Sequence, residues 1–166
     1  MKLNLTKIPP NRRDEAKRVA GRIILDGIQE RLDEGVSPVK NEGPFKLLSE
    51  KYADDFKGSD LVPDLFLYGG LRENITFKPH PDGIVVGVFK SAPKIDRLKA
   101  SGHNLGDSAN KTKRQFIPFD DGDFDDEIMN DVEDALDDFR SDVEQLDRFT
   151  EDFLDSLITS VINGKN

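Results

Sequence analysis

Residues 123–163 contain no proline and no glycine. A stretch that long without a breaker predicts one helix of about 60 Å, at 1.5 Å per residue. A heptad threads through it. Met129, Leu136, Val143, Thr150 and Leu157 take the a positions, and Val132, Phe139, Leu146, Phe153 and Ser160 take d. Ile128, Ala135, Phe149, Leu154, Ile158 and Val161 widen the stripe beyond a strict coiled-coil seam. A helix this long must bury its apolar side on something, so it constrains the rest of the chain more than any other segment.

Charge sharpens that constraint. The chain has 166 residues and a formal charge of −9. Residues 120–166 hold 17 of the 33 acids and only three bases, so this tail carries −14 and the body +5. Most of the basic excess lies in residues 90–114, with seven bases against Asp96 and Asp107. Two regions of opposite sign imply two surfaces with different partners, or one copy's tail meeting another copy's body. Hydrophobic residues make up 36% and charged residues 34%. That is a thin core for a free monomer, and assembly would relieve the shortage.

The single-domain reading has three parts: an N-terminal helix over 11–34, an α+β core over 39–119 and the acidic helix over 123–163. Asn11 is the expected N-cap, with Asp14 and Glu15 in the first turn. Ala16, Val19, Ala20, Ile23, Ile24, Ile28 and Leu32 make the first helix's stripe, and Gly35 followed by Pro38 ends it. Gly21 and Gly27 inside it mark either close packing or simple tolerance. A short helix is expected over about 44–56, then an extended segment at Leu65–Tyr68. Residues 71–78, opening as a helical turn, and 84–90 read as a hairpin around Pro79-His80-Pro81-Asp82-Gly83. Residues 91–118 read as a long, basic, irregular loop, extended over 91–113. The fold class expected is α+β: a small antiparallel sheet flanked by helices.

Several chemistries find no support. The chain has no cysteine, which excludes disulfides, thiolate catalysis and Cys-based zinc sites. The Asp-rich run 120–127 fails as an EF-hand, with Asp126 where glycine is needed and Val132 where a bidentate glutamate is needed. Its acids suit the positive end of a long helix. His80 and His103 form no cluster, and surface or structural roles are expected for both. No phosphate-binding loop or nucleophile elbow is present. No cofactor or metal is implied, and no enzyme motif. There is no signal-like stretch and no run of 18 apolar residues, so a soluble, cytoplasmically made protein without a membrane partner is expected.

The candidate partner-interface residues fall in two groups. Lys94, Arg97, Lys99, His103, Lys111, Lys113 and Arg114 form the basic group. They suit an acidic protein surface, or nucleic-acid phosphates. No aromatic precedes Phe116 in that stretch and the net charge is acidic, which weighs against nucleic acid. Phe139, Val143, Leu146, Phe153 and Leu157 form the apolar group on the long helix.

The order of these features resembles bacteriophage virion-morphogenesis proteins of the tail-completion, neck or head–tail connector type. The run covers about residues 11–138. It includes Glu34-Gly35-Val36-Ser37-Pro38 after the first helix and Phe45-Lys46-Leu47-Leu48-Ser49-Glu50-Lys51-Tyr52. Pro63 to Ile75 follows, with Leu67-Tyr68-Gly69-Gly70-Leu71 at its centre, then Asp82-Gly83-Ile84-Val85-Val86-Gly87-Val88. Ala100 to Gly106 and Arg114-Gln115-Phe116-Ile117-Pro118 complete it. Asn74 stands where the family commonly has serine, and the last helix runs past the usual family end. The resemblance implies a small α+β virion protein, assembled in the host cytoplasm as a homo-oligomeric ring, hexameric or twelvefold. Its partners would be portal or adaptor proteins on one side and tail-tube or terminator proteins on the other. Viral DNA would pass through without specific binding, flanked by acidic faces. No catalytic residue is implied. The alternative is a nucleic-acid-associated regulatory or packaging protein using the loop at 90–114.

Overall fold

The structure, a computed structural model, describes residues 1–56, 70–106, 113–119 and 123–163. The extended segment expected at Leu65–Tyr68 lies outside the described residues, as does Lys111. The elements are α1 (Arg13–Asp33), α2 (Glu50–Phe56), α3 (Gly70–Glu73), β1 (Ile75–His80), β2 (Gly83–Val88), α4 (Lys94–Leu105) and α5 (Asp126–Asn163). The α+β class is as expected: an antiparallel hairpin with long helices at both ends of the chain.

α1 forms where its apolar spacing places it. Ala16, Ala20, Ile24, Ile28 and Leu32 recur every four residues and are buried. No side chain caps its start: Asn11 lies instead in a 3-10 turn over Pro10–Arg12, entered from Pro9. Proline presets the backbone for such a turn, so the expected cap is not used. The C-terminus ends as a Schellman motif. Gly35 takes φ +70°, its N–H bonds Leu32 O (3.1 Å), and Val36 N–H reaches back to Arg31 O (2.8 Å).

The two glycines inside α1 answer to close packing. A Cβ on Gly21 would lie 2.4 Å from the ring of Phe77 on β1, and one on Gly27 would lie 2.7 Å from Ile128 Cγ1 on α5. The helix therefore touches the hairpin on one side and α5 on the other, with bare backbone at both crossings. Ile84, Phe116, Phe124, Ile128, Val132 and Leu136 close the same core.

The hairpin pairs Ile75 with Val88 through His80 with Gly83, turning at Pro81-Asp82. The other edge of β2 is taken by Met1 to Leu3. Ile84 N–H donates to Met1 O (3.3 Å), Met1 N donates to Ile84 O (3.1 Å), and Leu3 N–H donates to Asp82 O (3.2 Å). The second helix is shorter than expected. Residues 44–49 are not helical; Phe45 N–H bonds Gly35 O (2.8 Å) and its ring enters the core, so the helix starts at Glu50.

The long irregular loop is corrected. Residues 94–105 form a regular helix, α4, entered after Pro93 and ended by Gly106 at φ +66°. Its core-facing positions are Asp96 and Ala100, small or polar, and Gly102 is buried at the foot of the opposite face. Its large apolar residues, Ile95, Leu98 and Leu105, point outward. A stripe search looks for bulky apolar residues facing inward, and here they face the other way.

Candidate interaction surfaces

The first candidate surface is built by α5. Its start is held at three points. Asp125 Oδ1 accepts Ile128 N–H (3.1 Å), an N-cap, while its Oδ2 accepts Arg31 Nε (2.7 Å). Arg31 also reaches Glu127 and Glu34. Lys40 Nζ donates to Asp126 Oδ1 (2.5 Å). The backbone joins in, with Lys40 N–H on Asp123 O (3.0 Å) and Asp125 N–H on Pro38 O (2.9 Å). The acids at 123–127 thus serve the helix start and two cations. Burial works to lower the Arg31 pKa, but Asp125, Glu127 and Glu34 together raise it. The hydrogen bond and charge of Asp126 raise that of Lys40.

From there α5 runs antiparallel along α1. Gly27 meets Ile128 near one end, and Arg140 Nη2 bonds Asn4 O (3.2 Å) near the other. Ile128, Val132, Leu136 and Val143 are buried, and Met129 and Phe139 pack against the core. Val143 is 4% exposed and Leu146, one turn later, is 52% exposed. The change has a simple cause. α5 has 38 residues and α1 has 21, so α5 is longer by about 26 Å at 1.5 Å per residue.

Past Val143 the same stripe continues without cover. Leu146, Phe149, Phe153, Leu154 and Ile158 are all exposed, Phe149 at 69%. Leu146, Phe153 and Leu154 lie on the face that carries Ile128, Val132 and Leu136 earlier in the helix, with Phe149 and Ile158 at its two margins. Thr150 falls within this face and turns its hydroxyl back onto Leu146 O (2.8 Å), so the stripe shows no unpaired donor there. Burying each of these large side chains would contribute about 1.5–3 kcal/mol. Asp147 and Glu151 rim the stripe, with Glu144, Asp152 and Asp155 beyond them. Arg148 is the one base between Glu144 and Ile158.

The second candidate surface is the outer face of α4. Ile95, Leu98 and Leu105 are exposed at spacings of three and seven, one helical face. Lys94 is exposed beside them, and Lys99 stands on the flank, its Nζ 3.7 Å from the buried Asp96 carboxylate. The inner face is firmly held. Asp96 accepts Asn74 Nδ2 (3.2 Å). Asn104 clamps the returning segment: its Oδ1 accepts the N–H groups of Phe116 and Ile117, and its Nδ2 donates to Ile117 O, all at 3.0 Å.

The predicted site residues therefore separate. Val143 and Phe139 belong to the chain's own core, since α1 and the N-terminal segment reach that far along α5; the surface open to a partner begins at Leu146. Leu146 and Phe153 are exposed. The side chain of Leu157 lies outside the described ones. Among the bases, Lys113 is paired with Glu42 (2.6 Å) and Arg114 Nη2 reaches Lys46 O (3.4 Å). Arg114 N–H bonds His103 O (2.8 Å), and Arg97 and His103 are half-buried on α4. Much of the basic group thus serves the chain itself. Ile95, Leu98 and Leu105 were missed as surface candidates, although their three-and-seven spacing stands in the sequence between the breakers Pro93 and Gly106.

His80 is exposed in the hairpin turn, its Nδ1 accepting Asp82 N–H (3.3 Å). Among the described residues no cluster of three metal-ligating side chains occurs, and no helix is long and apolar enough to cross a membrane. The comparisons with known proteins leave the surfaces to speak for themselves: no protein-family model, curated protein or solved structure matches this chain.

Proposed function

We propose that this chain is a structural assembly protein of the phage neck or tail-completion type, working as a homo-oligomeric ring between a portal or head-closure complex and a tail. The observation that carries the reading is the bare apolar stripe on α5 from Leu146 to Ile158, on a helix whose first half buries that stripe in the chain's own core. The packed first half nucleates the helix, and its bare continuation gains further stability from a covering partner, because tertiary packing of an apolar face supplies most helical stability. An exposed contiguous apolar strip rimmed by charge is the mark of a protein–protein surface.

The geometry favours this over the regulator that would bind nucleic acid through residues 90–114. Lys99, Lys113 and Arg114 already contact Asp96, Glu42 and the Lys46 carbonyl. The outward face of α4 is apolar at its centre, where a phosphate-binding face would be basic.

Light scattering and electron microscopy of the purified full chain test the reading, with closed rings as the expected result. In a phage that carries this gene, its deletion is expected to leave filled heads and finished tails unjoined. A chain that stays monomeric at high concentration would remove the ring. The regulator would reveal itself through duplex binding that weakens steeply with salt.

A further inference from the structure

We infer that the distal half of α5 in one copy docks on the outer face of α4 in the next copy. The inference rests on the reading that the chain assembles with itself, and names the two surfaces that meet.

Four observations lead there. Both faces are apolar and uncovered: Leu146, Phe149, Phe153 and Ile158 on α5, and Ile95, Leu98 and Leu105 on α4. They match in length, about 18 Å from Leu146 to Ile158 and about 15 Å from Ile95 to Leu105. They match in charge, since Asp147 and Glu151 rim the first while Lys94, exposed, flanks the second. Finally, α5 cannot reach the α4 of its own chain. It is one helix with no proline or glycine from Asp126 to Asn163, and it leaves the body at Val143.

The same charges disfavour the symmetric alternatives. Two α5 stripes face to face would set Asp147 and Glu151 against their own copies, and two α4 faces would oppose lysines. Pairing α5 with α4 is heterologous: each chain offers one donor helix and one acceptor face. Repeated from copy to copy, such a contact builds a ring where its rotation closes and an open filament where it does not, in either case without any further surface. The outward apolar residues of α4, unexplained by the monomer's packing, then have a partner.

The absence of cysteine makes the test direct. Full-length Leu98→Cys and Phe153→Cys variants are prepared separately, mixed, and treated with a short bismaleimide. The mixture is expected to give cross-linked dimers at least about tenfold above either variant alone, as expected for complementary rather than self-matching surfaces. Dimers from Phe153→Cys alone would overturn the pairing in favour of stripe against stripe. An oligomer by light scattering with no cross-link in the mixture would overturn the pairing and leave the assembly reading standing. A monomer with no cross-link would overturn both. Charge reversal is the second arm. Glu151→Lys, and separately Lys94→Glu, are each expected to weaken association about tenfold, and the double variant to recover most of it. Full association in both single variants would refute the docking.

Discussion

The two halves of α5 share one apolar stripe and meet opposite fates. Over Ile128 to Val143 the stripe is covered by α1 and the N-terminal segment; over Leu146 to Ile158 it is bare. Residue types do not separate them, since both halves carry isoleucine, leucine and phenylalanine amid aspartate and glutamate. The difference is the length of the neighbour. A stripe is therefore evidence that something covers a helix, and not that the same chain does. α4 teaches the converse: its core side is small and polar, and its bulky residues face out.

The largest expected effect contrasts the halves directly. Leu136→Ala, in the covered half, should lower stability by about 2–5 kcal/mol in denaturant titration. Phe153→Ala should change the stability of the dissociated chain by less than about 0.5 kcal/mol while weakening self-association. Equal destabilisation by the two would erase the distinction.

The seam itself comes next. Gly27→Val puts a branched side chain against Ile128, and should cost about 1–3 kcal/mol by overpacking. Gly87 has open space where a Cβ would point, so Gly87→Ala should show no comparable loss. Thermal melts of both variants make the check.

A smaller effect belongs to the start of α5. Asp125→Ala removes a cap and a partner of Arg31, and should cost about 1–2 kcal/mol. Asp125→Asn keeps a capping oxygen and should lose less. If the two variants melted alike, the cap would contribute nothing beyond the charge.

The smallest effect is alkaline. The Lys40 pKa is raised above its ordinary value of 10.5 in the folded chain, so its contribution is complete below that pH. It is lost as pH rises through the raised value. Stability measured from pH 9 to 12 should therefore fall slightly more for the native chain than for Lys40→Met, because the exposed pair is weak.

Much of the framework was legible in the residues. Asp-rich residues before an unbroken run placed the start of α5, and Gly35 with Pro38 placed the end of α1. The β-branched run at Ile84–Val88 placed the hairpin. These are local signals, read within a few residues of where they act. What escaped depended on contacts across the chain. Asn104 reads as an ordinary polar residue until Phe116 and Ile117 arrive beside it. Met1 to Leu3 join the hairpin through backbone groups, which no side-chain pattern records. The open question over Gly21 and Gly27 was settled by Phe77 and Ile128, residues far away in the chain.

The sequence by itself determined a long acidic helix with one apolar side, a preceding helix that ends at a glycine, a hairpin and a basic segment between. Helical and strand periodicities, breakers and charge are local properties, so one strand of text carries them. The tertiary structure alone decided where along α5 the cover stops, and which way α4 turns its bulky side chains. Those depend on how far α1 extends and on which residues meet in space, and burial is a property of neighbours rather than of the residue buried.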